Sequence, residues 1–338
     1  MNNTRLKLVS LLLAADMALT FCPVSAFAAS SGGGTISLTS VSQQLDDESG
    51  AVLQTFEVLT PEKFRDAVNT INTGANGSYE IKLMNDITLN DDLTLSKNTT
   101  TILGEGHTLS STQDNVLGAA GTAVLNLGAK NYSETLTFEG GVSQRSGPLL
   151  SIGGNAILNM YDHVTLQNNS STNTTTNTSS GVQVGNNSTF NMYGGTIQNC
   201  AGTLYRVRGC VLVFGTFNMQ GGTIRNCSAY SGGIYAYDGT VNITGGSLCE
   251  NNALFGSAGG AVYMCGGSLN ITGGSICKNT ASHGGGIYLY DSPNVSIQNC
   301  TITDNNAEGG GGIYLYDSPN VSIQNCTITD TNAVHGGG

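Results

Sequence analysis

Two residue types recur in this chain at spacings that bear on chemistry. Tyr235, Tyr263, Tyr288 and Tyr314 take the second place of a repeated four-residue segment, and Tyr237, Tyr290 and Tyr316 take the fourth. A tyrosine joins a broad apolar ring to a hydrogen-bonding tip, so tyrosines gathered on one face make a binding strip for a glycan or a partner protein. The preference of Tyr for strands produces the same columns without any ligand. The cysteines recur too, as Cys200 with Cys227, Cys249 with Cys277 and Cys300 with Cys326, 26 to 28 residues apart. That spacing is foreign to zinc knuckles. It suits disulfides between neighbouring turns of a repeat in an oxidising compartment, or small buried side chains. Cys210 and Cys265 have no partner in this alignment.

Acid–base groups are scattered. Asp91-Asp92 is the closest adjacent acidic pair in the coil region and lies in a turn, Leu89-Asn90-Asp91-Asp92. His107 stands in a Gly106-His107-Thr108 turn that lacks the third residue of a hydrolase Gly-His-Gly, and Arg206, Arg208 and Arg225 read as solvated. No catalytic set assembles from these, and neither a metal nor a cofactor is expected. A Thr/Ser column (Thr196, Thr223, Ser247, Ser275, Thr301, Thr327) reflects strand propensity. Asp291 and Asp317 each open an Asp-Ser-Pro-Asn turn. Each is expected to bond its own turn backbone, with a bound cation as the alternative.

The element that positions these columns is a repeat. Ile287 to Asp304 and Ile313 to Asp330 are the same eighteen residues. Weaker copies run back through VNITGGSLCEN (241–251), FNMQGGTIRNC (217–227) and FNMYGGTIQNC (190–200), preceded by VLVF (211–214), IYAY (234–237), VYMC (262–265) and IYLY (287–290). Within a unit the apolar residues alternate, as in Ile287/Leu289 and Val295/Ile297, which is the period of a strand. Three strands of three to five residues cannot bury their own inner face, so successive units must stack in parallel register. The predicted fold is all-β: a single-stranded, right-handed parallel β-helix with three short strands per coil and an N-terminal capping helix. Thr60-Pro61-Glu62 supplies the helix start, with Phe64, Ala67, Val68 and Ile71 at helical spacing and Gly74 after them.

Composition agrees. Of 338 residues, only 10% are charged, against roughly 25% in an average soluble domain, while Gly is 47 and the net charge −11. The acidic balance excludes a basic nucleic-acid binder, and 39% hydrophobic residues exclude a disordered chain. Arg5 and Lys7, the apolar run Leu8 to Leu19 and Ala26-Phe27-Ala28 read as a signal peptide over 1–28, with Cys22 inside it. No transmembrane segment is expected in the mature chain. The organisation predicted is a leader over 29–55, a cap with a short helix over 56–80, and the β-helix over 81–338, regular from about 181. Asn168 to Ser180 has no apolar residue and reads as an exposed loop. The chain stops at Gly336-Gly337-Gly338, where earlier coils begin their next strand, so further coils or a neighbouring chain are expected there.

The pairing of Gly259-Gly260-Ala261-Val262 with Ile276-Cys277-Lys278-Asn279 resembles the polymorphic outer-membrane-protein repeats of chlamydiae. Gly232-Gly233-Ile234 with Leu248 to Asn251, and Gly285-Gly286-Ile287 with Ile302 to Asn305, repeat it. The helix-then-strands start is similar to the pectate-lyase-like β-helix class of bacterial surface proteins. The resemblance implies a secreted or cell-surface, adhesin-like module whose partner is an extracellular glycan or a protein of a host or neighbouring cell. The alternative it implies is a polysaccharide-degrading lyase or hydrolase.

Overall fold

The computed structural model describes residues 44–45, 52–140, 146–173 and 177–337. The expected signal peptide over 1–28, and the leader apart from 44–45 and 52–55, lie outside the described residues. The described residues belong to one compact unit, Val41–Gly338.

That unit is a right-handed parallel β-helix of about eleven turns. The first face is a twelve-stranded sheet, antiparallel only between Gln44–Leu45 and Val52–Val58. The second face has ten strands and the third nine. Neighbouring coils pair residue for residue. On the first face Phe190 sits over Phe217 and Met192 over Met219; on the third, Ile287 over Ile313. Alternation turns every second side chain inward, where Leu158, Phe190, Phe217, Val241 and Leu269 form one continuous apolar column. The Phe190 and Phe217 rings lie 5.0 Å apart in it.

Two corners explain the conserved punctuation within the repeat. Between the first and second faces, Gly195 and Gly222 take φ of +78°, and a side chain at either would meet backbone carbonyls of the preceding coil. Beyond the second face, a left-handed residue (Asn226, Glu250, Lys278, Asp304) is followed by a buried one (Cys227, Asn251, Asn279, Asn305). Asn279 Nδ2 donates to Leu248 O and to Asn305 Oδ1, both at 2.9 Å, and its Oδ1 accepts from the Asn251 backbone N–H at 3.0 Å. Asn251 and Asn279, the asparagines that close the motifs Leu248 to Asn251 and Ile276 to Asn279, are therefore buried amides that tie their coils to both neighbours.

Helix α1 (Pro61–Thr73) forms as its cap signals require, with Thr60 Oγ1 accepting from the Lys63 backbone. It buries Phe64, Ala67, Val68 and Ile71 and is tied to the first coils by Asn72 Nδ2 donating to Thr94 O and Asn98 Nδ2 to Ile71 O.

The segment around 168–180 departs from expectation. Ser170–Ser171 and Thr178–Val184 are strands, and Asn169, Ser171, Thr178, Ser179 and Ser180 are buried. Ser170–Ser171 begins a fourth, four-stranded sheet running through Ala201–Gly202, Ser228–Ala229 and Asn252–Ala253. Side chains this small fit a tight corner, and the Asn169 amide donates to Gly147 O and Ser180 O. Hydropathy does not register such a position.

Candidate functional site: the tyrosine ladders of the third face

The strands Ile234–Tyr237, Val262–Cys265, Ile287–Tyr290 and Ile313–Tyr316 lie side by side on the third face. Their inward residues, Ile234, Val262, Ile287 and Ile313, are core, so the tyrosines stand outside it. The inner ladder is continuous. Ring centroids are 4.9 Å apart from Tyr235 to Tyr263, 4.9 Å from Tyr263 to Tyr288 and 5.5 Å from Tyr288 to Tyr314.

The two ends of this ladder differ. Tyr235 was expected outside and open, but it is buried, with 7% of its surface exposed. Leu212 lies beneath it in register, and Tyr230 meets it edge-on at 6.4 Å. The Arg208 guanidinium caps both, 4.9 Å from the Tyr230 ring and 5.5 Å from that of Tyr235. Both capping side chains come from outside the four-residue segment, which is why the strand pattern did not reveal them. At the far end His283 meets Tyr314 edge-on at 5.0 Å. Burial pushes the Tyr235 hydroxyl up to about 12 despite the opposing pull of Arg208. Burial also raises Tyr263 and Tyr288 above the ordinary phenol value.

The outer ladder is the exposed one. Tyr237, Tyr290 and Tyr316 expose 49%, 40% and 48% of their surface. Tyr290 and Tyr316 are almost coplanar in orientation, 8° apart at 5.4 Å. Cys265, unpartnered in the sequence alignment, fills the rung between Tyr237 and Tyr290. Phe214 extends the column below Tyr237, 6.5 Å away. Sequence reading passed over Phe214, although the aligned VLVF segment carried it. Tyr290 and Tyr316 each hide one ring face against the other, so this pair presents ring edges and phenol hydroxyls. Asp238, Asp291 and Asp317 follow the outer ladder, each with positive φ. The Asp-Ser-Pro-Asn corners are held by serines rather than by the aspartates: Ser292 Oγ donates to Tyr290 O, and Ser318 Oγ to Tyr316 O, both at 3.1 Å.

The cysteines divide by face. Cys249 and Cys277 stand on the outer side of the second face, half-buried, and form a disulfide across adjacent coils with Cα atoms 4.6 Å apart. Cys300 and Cys326 are thiols with sulfurs 3.4 Å apart at the corner before that face. Cys200, Cys210 and Cys227 are buried thiols inside the coil stack, and the Cys200 and Cys227 thiols donate to the backbone carbonyls of Gln198 and Arg225. Burial raises the Cys210 and Cys227 thiols well above their ordinary value.

The scattered acid–base groups stay apart. Asp91 accepts from Arg65 at 2.8 Å. His107 Nδ1 lies 3.3 Å from Asp86 Oδ1, an acid that the coil brings from 21 residues away. Arg225 donates twice to Gln198 Oε1, and Arg206 lies over the Tyr205 ring. Among the described residues no three His, Cys, Asp or Glu side chains are placed to hold a metal ion. No described helix is long and apolar enough to cross a membrane. The Thr/Ser column runs up the outer side of the second face, from Thr196 over Thr223 to Thr301 over Thr327.

Residues 210–338 match the family model for a right-handed β-helix region. The matched residues contain both tyrosine ladders and the disulfide. No curated protein and no solved structure matches the chain.

Proposed function

We propose that this chain is an adhesin-like β-helix protein, secreted or displayed at the cell surface, that grips a partner protein along the third face. The observation that carries the reading is the outer ladder: three exposed tyrosines in one column, set beside a half-buried second column. Ring edges with hydroxyl tips give apolar width and hydrogen-bonding capacity at little cost in side-chain entropy, a combination favoured where proteins meet. Export is supported by the charged, apolar and small-residue succession over residues 1–28. The adhesin class is supported by the Gly-Gly and [IL]-x-x-N repeats that resemble the chlamydial passenger repeats.

The test replaces Tyr237, Tyr290 and Tyr316 together by Ser and measures adhesion of the purified protein to cells and to immobilised surface proteins. Adhesion should fall at least about tenfold, with the far-ultraviolet circular dichroism unchanged, because these rings stand outside the core. Unchanged adhesion would reduce the ladder to strand packing. Release of unsaturated oligosaccharides from polygalacturonate, with or without Ca²⁺, would replace this reading by the enzymatic one.

A further inference from the structure

The outer ladder of the third face is interrupted once. Tyr237 pairs with Cys265 and Cys265 with Tyr290, so the rung between the two tyrosines carries a side chain too short to reach the level of the rings. With coils ~4.8 Å apart, the two rings stand ~9.6 Å apart across that rung. Neighbouring tyrosines elsewhere on these ladders stack at 4.9 to 5.5 Å. A flat group entering at the Cys265 rung would lie about 5 Å from each ring, the place a tyrosine takes on other rungs. Tyr237 and Tyr290 are exposed, and Cys265 is half-buried. Their ring contacts, Phe214 for Tyr237 and Tyr316 for Tyr290, come from the coils on the far sides of the gap.

The rim of this gap is acidic. Gly266 follows Cys265, and a Cβ at Gly266 would collide with the Asp238 carboxylate. Asp238 therefore leans from its own coil onto the rung of Cys265. Asp291 follows Tyr290 on the coil at the other side of the gap. Both aspartates are exposed, and neither is in an ion pair among the described residues. Their charge reaches the thiol: burial raises Cys265 above its ordinary value, and Asp238 and Asp291 raise it further, against a smaller opposing pull from Arg208. Two rings, a small floor and two unpaired carboxylates thus meet at one rung.

We infer that this gap receives an arginine side chain of the partner protein. The inference rests on the reading of the third face as the adhesive one, and adds the chemistry that the partner presents to it. A guanidinium is planar, so between the two rings both of its faces are within the ~6 Å over which cation–π attraction acts. Its N–H groups lie around its edge, where they donate to Asp238 and Asp291. An ammonium is a compact, strongly hydrated charge with no flat faces to set against two rings. An aromatic ring of the partner would fill the gap but leave both carboxylates unpaired. At longer range the net charge of −11 draws a cationic partner in.

The probes are four immobilised peptides of one Gly/Ser frame, bearing arginine, lysine, citrulline or tyrosine at the same positions, read by biolayer interferometry against the purified protein. The arginine peptide should bind saturably, about threefold tighter than the lysine peptide and about tenfold tighter than the other two, and should weaken with added NaCl. In solution it should slow alkylation of Cys265, which it covers. Cys265→Tyr supplies the ring that the other rungs carry and closes the gap, so it should lower arginine-peptide affinity about tenfold with the circular dichroism unchanged. Asp291→Asn keeps the rings and should lower it about threefold, even if Cys265→Tyr misfolds. No arginine-peptide binding, equal binding of the citrulline or tyrosine peptide, or full affinity in either folded variant would overturn the assignment. Cell adhesion separates this inference from the reading beneath it. Adhesion kept by Cys265→Tyr but lost by the Tyr237/Tyr290/Tyr316→Ser protein overturns the arginine gap and leaves the adhesive ladder. If adhesion survives the triple Ser substitution while arginine-peptide binding is lost, it is the adhesive reading that fails.

Discussion

At the scale of single residues, the buried amide of Asn279 does more than fill a corner. It serves Asn251, Leu248 and Asn305, which lie on other coils. Asn279→Ala leaves the Asn251 N–H, the Leu248 carbonyl and part of the Asn305 amide without partners in a dry interior. The expected cost is about 2–4 kcal/mol, read as a lower midpoint in urea. The tyrosines give a second residue-level outcome, through pH. The folded Tyr235 hydroxyl is raised from 10.0 to about 12, so the folded state holds its proton where the unfolded chain releases it. Stability is therefore unaffected below pH 10 and falls as pH climbs from 10 toward about 12. Tyrosinate absorbance from Tyr235 should appear late in an alkaline titration. That rise should coincide with loss of the β signal in circular dichroism.

At the scale of elements, the period-two alternation in units such as Ile287 to Asp304 was enough to place three strands per coil. Thr60-Pro61-Glu62 with its apolar positions was enough to place helix α1. What sequence reading missed lay where side chains are too small to signal a face or arrive from elsewhere. Ser170–Ser171 and Ala201–Gly202 form a sheet without a hydrophobic run. Tyr235 is covered by Arg208 and Tyr230, which lie outside its strand segment. The cysteine columns were legible as rungs, but alignment alone did not distinguish the bonded pair from the thiols. In the structure the pairs differ in surroundings: Cys249 and Cys277 are partly open to solvent, while Cys200, Cys210 and Cys227 are in the core. Two outcomes follow. Reducing the Cys249–Cys277 bond, or Cys249→Ser with Cys277→Ser, should cost about 3.6 kcal/mol for a loop of 28 residues, seen as a lower melting temperature. An alkylating agent applied to the native protein should label Cys265 and Cys326 first, and reach Cys200, Cys210 and Cys227 only after unfolding.

At the scale of the whole molecule, the coil is an interchangeable unit. Ile287, Tyr288, Leu289 and Tyr290 lie over Ile313, Tyr314, Leu315 and Tyr316, each pair 26 residues apart. A protein lacking residues 287–312 should fold with every remaining rung in register and one coil fewer. Small-angle scattering should show it shorter by ~4.8 Å, and aggregation of this variant would show that the coils are not equivalent. The Cys249–Cys277 bond carries a consequence of another kind, for a molecule under load. A stack of coils drawn out from its last coil peels one turn at a time, and each turn of 26 residues pays out ~90 Å of chain. The coil bridged by the disulfide cannot pay out its 28 residues. In single-molecule force spectroscopy its step should be missing from an otherwise even sawtooth, and a reducing agent should restore it. In that role the bond is a stop on a ratchet: it limits how far the protein lengthens when whatever it holds is pulled away.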